Sequence, residues 1–394
     1  MFAPVLICLL VLLALGGAER IARDRAWRSV PIRIHVNGTR GKSTVTRLIW
    51  SALREAGIPA VARTTGTATR VLLPDGTERP FRRRGAASIR EQLAVLRLAR
   101  RAGARAVVLE CMALDPGLQH VSERDMVHAT IGVITNVRLD HTDVMGRDLE
   151  SIAATLANTI PAGGIVVTGE RHFGSLFERR ATQVAAKVVA AEPAARPCGN
   201  ERGTVPFIDP SGWLAESTAI ALAVARQLGI PDETSLRGFS VAPPDPGAAR
   251  TGRLVLSPGT AQWLNATAAN DPESLARLVD QLAGRLELAG AGQKPRRRIV
   301  VYNNRPDRAA RLACFAERST ILAEADQLII TGAPPPVSVW RRLRRMRRHR
   351  PLSFVPPRRM AAWLEAHAAA AAVVFCGNVH GLDVPHLLEG VGHD

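Results

Sequence analysis

Aromatic side chains are scarce in this chain: they make up 4% of 394 residues, with a single tyrosine, Tyr302. Bases of a single-stranded nucleic acid need aromatic platforms to stack on, so the composition counts against that class of partner. Cysteine is as sparse. Cys8, Cys111, Cys198, Cys314 and Cys376 lie far apart with no C-x-x-C spacing, which argues against a zinc module or a disulfide framework and fits a reducing compartment. Lysine occurs only at positions 42, 187 and 294, in a chain whose other basic residues are arginine. Acids are also the minority, 35 against 52 Lys and Arg, leaving a net charge of +17. Such a surplus implies an acidic partner: nucleic acid, anionic lipid or a polyanionic substrate. The length suggests two or three domains.

What the chain does have is one long uncharged run at residues 2–18, followed at once by Glu19, Arg20, Arg23, Arg25 and Arg28. About 17 residues is at the short end for crossing a bilayer and longer than a usual signal-peptide core. With the basic flank after the run, the positive-inside rule expects a membrane anchor with the C-terminal bulk in the cytoplasm. A cleaved secretory signal is the alternative, because residues 14–18 are small enough to resemble a cleavage site.

The stretch 32–57 organises the rest. Ile32, Ile34 and Val36 form an apolar β-branched run, the sequence NGTRGKS follows at 37–43, and Val45, Leu48, Ile49, Ala52, Leu53 and Ala56 then recur at helical spacing until Gly57. Strand, glycine loop and helix in that order aim backbone N–H groups and a helix N-terminus at an anion, with Lys42 for the β- and γ-phosphates and the Ser43 hydroxyl for Mg²⁺. The full P-loop pattern needs a glycine where Val36 stands, so the match is to a shorter loop. Keeping lysine here in a chain that otherwise uses arginine favours phosphate binding over an ordinary turn.

Further along, Arg63, Thr64, Thr65, Gly66 and Thr67 make a hydroxyl-rich turn, and residues 72–84 read as a hairpin about Pro74, Asp75 and Gly76. Ser88 and Glu91 have capping-box spacing. Residues 107–109 and 131–137 read as buried strands, the first ending in Glu110 and the second running into Asn136 and His141. Positions just past strand C-termini line the ligand crevice of a doubly wound sheet, so Glu110 and His141 are expected to share a site with Lys42. Taken singly, Glu110 is equally well read as a satisfied strand-end acid, and His141 is better read as a surface loop histidine; together after strands in a P-loop domain they favour a shared site. Helices are expected at 149–160 and 216–228, a strand at 165–168, and a Pro-rich linker at 243–247. Beyond it, strands at 263–266, 299–302, 328–331 and 373–376 alternate with helices at 274–282, 309–315 and 360–371, a second and smaller α/β unit.

With these residues in hand the chain resembles the Mur ligase superfamily, and most closely its membrane-anchored poly-γ-glutamate synthase branch (PgsB/CapB type). The stretches that carry the resemblance are VNGTRGKSTVTRL at 36–48, TTGT at 64–67, LECMALDPG at 109–117, IGVITNVRLDHTDVMG at 131–146, PPDPGAAR at 243–250, NATAANDPES at 265–274, NNRPDR at 303–308 and CGNVHG at 376–381. The resemblance implies an α/β protein with an N-terminal transmembrane helix (1–18), a basic linker (19–30), a P-loop, Mur-ligase-like ATPase domain (31–242), a Pro-rich linker (243–250) and a Rossmann-like C-terminal domain (251–394). It implies ATP and Mg²⁺ as cofactors and an amide ligase that activates a carboxylate as an acyl-phosphate for attack by an amine. Gly38, Thr39, Arg40, Gly41, Lys42, Ser43, Thr44 and Asn136 would hold the nucleotide. Ser43, Thr65 or Thr67, Glu110 and His141 would hold the metal, with His141 weakening as pH falls because only neutral imidazole ligates. Arg250 resembles the family arginine that reaches the phosphates, and Asn265, Asn270, Asn304, Arg305, Asp307, Arg308, Asn378 and His380 are placed for substrate, or else are loop caps. Implied partners are glutamate, anionic poly-γ-glutamate, small membrane subunits of a synthase and export complex, the cytoplasmic membrane and a possible second copy, but no nucleic acid.

Three departures from the family pattern stand out. No lysine in 149–160 offers itself for carbamylation, with Leu156 and Asn158 in that neighbourhood; Ser217 stands where an adenine-side asparagine is expected; and no room precedes residue 32 for a UDP-precursor domain. A folylpolyglutamate-synthase-like ligase and a membrane-bound P-loop ATPase acting on nucleic acid are the competing functions. The arginine pairs of 341–350 encircle a helix, so that segment is expected to bury no apolar face and to be solvated or docked on lipid headgroups or polymer.

Overall fold

Runs of Ile, Val, Leu and Ala bounded by glycine turns produce two largely parallel sheets, each in its own unit. The structure is a computed structural model; it describes residues 3–66, 69–83, 85, 87–192, 213–245, 250–256, 259–267, 269, 271–282, 297–378 and 387, apart from the side chains of 3, 213–215, 250, 281, 282, 307 and 309. The chain divides into Met1–Pro244 and Asp245–Asp394.

In the first unit the strands are β1 (Ile32–Asn37), β2 (Ala60–Thr64), β3 (Arg70–Leu72), β4 (Glu78–Pro80), β5 (Ala106–Glu110), β6 (Ile131–Ile134), β7 (Ile165–Thr168) and β8 (Lys187–Ala190), ordered β4-β3-β2-β5-β1-β6-β7-β8. All pair in parallel except β3, which runs antiparallel to both β2 and β4. β1 is central because both its faces are covered, which is why its neighbours read as continuous apolar runs. On one side Val45, Leu48, Ile49, Trp50 and Leu53 of the helix Lys42–Glu55 pack with Ile34, Val36, Val108, Val133, Ile220 and Val224. On the other, Val95, Leu96 and Ala99 of the helix Glu91–Arg101 meet Val61, Val107 and Leu109. The hairpin turn forms as expected, with Asp75 Oδ1 accepting from Thr77 N at 2.9 Å. The helix expected at 149–160 shortens to Leu149–Leu156 and a 3₁₀ turn, Ala157–Thr159.

The N-terminal helix Ala3–Ser29 has one segment, Pro4–Ser29, long and apolar enough to cross a membrane, and its Val5, Leu9, Leu12 and Leu15 are exposed. It runs unbroken through the basic flank until Ala26 and Trp27 pack against the cluster formed by the helix Glu91–Arg101.

In the second unit β9 (Arg250–Val255), β10 (Thr260–Asn265), β11 (Arg297–Asn304), β12 (Gln327–Gly332), β13 (Leu352–Phe354) and β14 (Ala371–Gly377) are ordered β13-β12-β11-β14-β10-β9, with only β9 antiparallel. The helix expected at 360–371 stops at His367, because Ala371 already belongs to the buried strand β14. The arginine-rich segment corrects its expectation more sharply. The helix Val337–Met346 buries Val339 and Leu343 and lays Trp340 and Met346 against the core, so a narrow apolar stripe at i, i+3 or i+4 intervals survives between the arginine pairs. Arg347 is itself buried, donating to the carbonyls of Leu322, Ala325 and Pro351.

Arg347→Ala would leave three carbonyls without their donor, a loss of about 2–4 kcal/mol, whereas exposed Arg345→Ala should change stability by less than about 0.5 kcal/mol. Denaturant unfolding of the two variants measures the difference, and equal small effects would mean that the arginine only fills space.

Candidate active site

The C-terminal ends of β1, β5 and β6 bring the sequence-predicted groups of the first unit together. Register sets Val36 opposite Glu110 and Asn37 opposite Ile134. The chain then leaves β1 through Gly38, at φ 130, where a Cβ would lie 2.0 Å from Thr135 Oγ1 and 2.9 Å from its backbone N. Only glycine fits there, and the loop re-enters a helix through Gly41 at φ 78.

Asn136 holds this loop to the next strand. Its Oδ1 accepts from Thr39 Oγ1 at 2.8 Å and from Arg40 N at 3.1 Å, its backbone carbonyl accepts from Thr39 N at 3.1 Å, and its Nδ2 donates to Arg40 O at 3.3 Å. Thr135 Oγ1 donates to the same carbonyl at 2.7 Å. Lys42 Nζ turns back onto Gly38 O at 2.6 Å and Thr39 O at 3.4 Å, which sets the cation at the mouth of the loop. Thr44 is half-buried in the first turn of the following helix.

Glu110, 1% exposed, accepts through Oε2 from Ser43 Oγ at 2.8 Å and from Thr65 N at 2.7 Å. Gly66 closes over the pair: a Cβ on it would lie 2.7 Å from Ser43 Oγ. A buried carboxylate beside a serine hydroxyl is a hard oxygen donor set, the kind a small divalent cation takes, and it sits where a phosphate-binding loop needs one. These residues therefore fit a nucleotide–metal pair.

His141 does not join that contact. It has φ 46 and a 41% exposed ring, and its Nε2 is 3.9 Å from Asp140 Oδ1, while Asp140 also lies 3.7 Å from Arg40 Nη2. Among the described residues no three potential metal-ligating side chains cluster. Ser217, in the helix Trp213–Gln227, faces the loop: a Cβ on Gly41 would come within 3.3 Å of its hydroxyl.

In the second unit, Asn265 Oδ1 caps Thr267, Asn304 Nδ2 donates to Ala333 O at 2.8 Å, and Asn378 Nδ2 donates to Asn303 O at 3.0 Å. These amides spend groups on neighbouring backbone, as loop caps do. Arg311, absent from the sequence reading, donates to Asn378 Oδ1 at 2.8 Å. Asn304 Oδ1 and the wholly buried Thr331 Oγ1 have no hydrogen-bond partner among the described residues. Arg305 is half-buried and Arg308 exposed. Thr67, Asn270 and His380, and the side chains of Arg250 and Asp307, lie outside the described residues.

Residues 36–191 match the family model of the Mur ligase middle domain, and residues 255–390 that of the poly-gamma-glutamate synthase CapB C-terminal domain. The chain is 36% identical over 330 residues to the capsule biosynthesis protein CapB of Bacillus anthracis, covering 83% of this chain and 68% of that one. It is 35% identical over 332 residues to the PGA synthase CapB of Bacillus subtilis, covering 83% and 81%. The chain belongs to the CapB family. Solved structures confirm the fold that this family shares with Mur ligases. A bifunctional folylpolyglutamate synthase/dihydrofolate synthase with Mn, AMPPNP and L-glutamate bound superposes at a TM-score of 0.63, with 22% identity and 94% and 93% of the two chains covered. MurF from Acinetobacter baumannii gives 0.64 at 14% identity, covering 96% and 80%.

Two groups beneath the loop escaped sequence reasoning, because each is assembled from distant segments. Burial raises the Glu216 carboxyl above its ordinary value, against the pull of Arg138. On β1, His35 is fully buried, with Nδ1 2.7 Å from Glu123 Oε2, and Glu123 Oε1 accepts from Ala129 N at 2.8 Å. Burial alone would lower the His35 pKa, but the Cys111 sulfur and the Glu123 carboxylate outweigh it and lift the imidazole to about 10. Because the folded value lies above the ordinary 6.5, the stabilisation is complete below that pH and is lost as pH rises toward 10. Wild-type unfolding midpoints should therefore fall between pH 7 and pH 10, and His35→Gln, though less stable, should lack that slope. Identical slopes in urea titrations would show that the ring is not charged in the fold.

Proposed function

We propose that this chain is an ATP-dependent ligase that extends poly-γ-glutamate, and the observation that carries the reading is the buried Ser43–Glu110 pair beside Lys42, in a chain a third identical to a PGA synthase along most of its length. A terminal carboxylate oxygen would attack the γ-phosphorus of ATP, the bond to the β-phosphate oxygen would break, and ADP would leave. The amine of glutamate would then attack the acyl carbon, expelling inorganic phosphate and a proton as the amide forms.

In-line phosphoryl transfer needs positioning and charge neutralisation more than covalent help. The backbone N–H groups of 41–43 would bind the phosphate oxygens, those of Thr39 and Arg40 being taken by Asn136, and Lys42, leaving the loop carbonyls, would follow the charge on the transferred group. Ser43 and Glu110 would hold Mg²⁺, which when bound supplies charge neutralisation at the phosphates. Thr65 orients Glu110, and His141 is assigned to the metal only if its exposed loop moves on binding. Arg250, Asn304, Arg305, Arg308 and Asn378 are proposed to serve phosphate and amino-acid substrate. The apolar helix Ala3–Ser29 would anchor the chain with its bulk on the cytoplasmic side, where small membrane subunits would receive the polymer. The folylpolyglutamate synthases share the fold at 16–22% identity, whereas the CapB relatives share 35–36%, and the second unit matches the CapB C-terminal model; the polymer reading therefore has the better support.

With ATP, Mg²⁺, glutamate and a short γ-linked acceptor, ADP release should depend on acceptor and be matched by amide product in mass spectra. Nucleotide turnover that responds to DNA or RNA, without amide product, overturns the assignment. Lys42→Ala should cut turnover about 10²-fold or more, roughly 3 kcal/mol, with the melting temperature unchanged. Glu110→Gln should raise the Mg²⁺ concentration for half-maximal rate before it weakens nucleotide binding, and an unchanged Mg²⁺ titration would make that carboxylate structural.

A further inference from the structure

The first unit carries a concavity of about 560 Å³ where the N-terminal helix leaves its uncharged run and meets the start of β1. Its lining is basic. Arg20, Arg23, Arg28 and Arg33 face it with one acid, Asp24, which lies 3.9 Å from Arg23 Nε. The floor is rigid: the Arg33 guanidinium bonds His128 O at 2.7 Å and the carbonyls of Trp27 and Val30 at 3.0 Å each, so its charge is fixed by the backbone around it. One wall is aromatic. Trp27, held by its indole N–H on Met126 O at 2.9 Å, has its ring 4.7 Å from that of His128, and the Arg23 guanidinium lies 4.8 Å over the Trp27 ring. Arg20 and Arg28 are exposed at the rim and pair with no carboxylate among the described residues.

We propose that this concavity binds the phosphate headgroup of an anionic phospholipid, a reading that rests on the anchoring role given above to the same helix. Three arguments join here. The chemistry is that of a phosphate diester: the guanidinium of Arg33, fixed by backbone carbonyls, and those of Arg20 and Arg28, which have no carboxylate partner among the described residues. Position agrees. At about 1.5 Å per residue, Arg20 lies roughly 3 Å beyond the last uncharged residue, within a headgroup layer about 5–8 Å deep, Arg23 about 8 Å beyond it, at the outer edge of that layer, and Arg28 about 15 Å beyond it, lining the same concavity from outside the layer. Shape agrees as well, since the concavity is shallow and largely open, so a tethered headgroup can enter while its acyl chains stay outside. A headgroup seated there would bridge the anchor to β1, which leads directly into the phosphate loop, and would fix the height of the catalytic unit above the bilayer.

The full chain, purified in detergent from membranes containing phosphatidylglycerol and phosphatidylcholine, tests this by native mass spectrometry of retained lipid. Retention of phosphatidylglycerol should exceed that of phosphatidylcholine, and should fall about 30-fold in the Arg23→Gln, Arg28→Gln double variant, given the worth of two basic residues at an anionic surface. A control pair with the same charge change at exposed positions of the first unit outside that lining, Arg171→Gln with Arg179→Gln, should retain lipid as the parent does. Equal loss in the control, or equal retention of the two lipids by a chain that still resists alkaline extraction from membranes, overturns the pocket while leaving the anchor standing. Displacement by free glycerol phosphate at matched concentration would reassign the site to a soluble anion. A chain that washes off membranes altogether removes the anchor and the pocket together.

Discussion

A loop that turns its N–H groups toward an anion cannot hold itself in shape, because those donors are unavailable for bonds within the loop. Everything around residues 38–41 follows from that constraint. Asn136 on the neighbouring strand end supplies the missing restraint by taking the N–H groups of Thr39 and Arg40 on its backbone carbonyl and side-chain amide, and Thr135 adds another bond, so the donors left to face an anion are those from Gly41 onward. The close approach this demands leaves no space for a side chain at position 38. The order β5-β1-β6 then places a carboxylate at one neighbouring strand end and an amide at the other, so a single central strand carries the loop while its flanks supply the buried Glu110–Ser43 contact and the loop clamp.

Most of this was legible because the signals were local. The strand, loop and helix of 32–57 read directly, and so did Glu110, since a strand ending in an acid beside a phosphate loop has few other meanings. Boundaries failed where alanine made helix and strand indistinguishable: residues 368–371 continue a helical composition, yet Ala371 pairs with Arg297 inside the second sheet. Alanine fits either state, and only the buried position of β14 decides. The arginine segment misled for a different reason. Charge density was weighed, while Val339, Leu343 and Met346, spaced to make a narrow stripe, were not.

What could not be read was whatever two distant segments make together. His35 looked like an ordinary strand residue and Glu123 like an ordinary helix acid, and neither signals that they meet 88 positions apart, fully enclosed, with Cys111 alongside. The asparagines at the strand ends of the second unit show the opposite limit. Their placement was foreseen, but nothing in a sequence separates an amide that caps a backbone from one held open for substrate. The structure shows Asn265 and Asn378 bonded to neighbouring residues, with Asn304 bonded through its nitrogen while its oxygen has no partner among the described residues.

The preference for arginine has a structural meaning that net charge conceals. Arg33 and Arg347 each serve several carbonyls at once, and Arg47 grips both oxygens of Glu78 at 2.8 and 2.7 Å while buried to 2% exposure. Arg63 pairs with Glu91 beneath the Phe81 ring, 4.7 Å from its centroid. A guanidinium can do this because five N–H donors in a planar fork reach several acceptors in fixed directions; an ammonium group is compact, strongly hydrated and free to rotate. Part of the formal +17 is therefore consumed inside the fold and is not available to any external anion. The same contrast explains the exception. At the mouth of the loop the role proposed for the cation is to release two carbonyls and follow a moving phosphoryl group, and that calls for a mobile point charge on a flexible stem, which is what the chain keeps at Lys42.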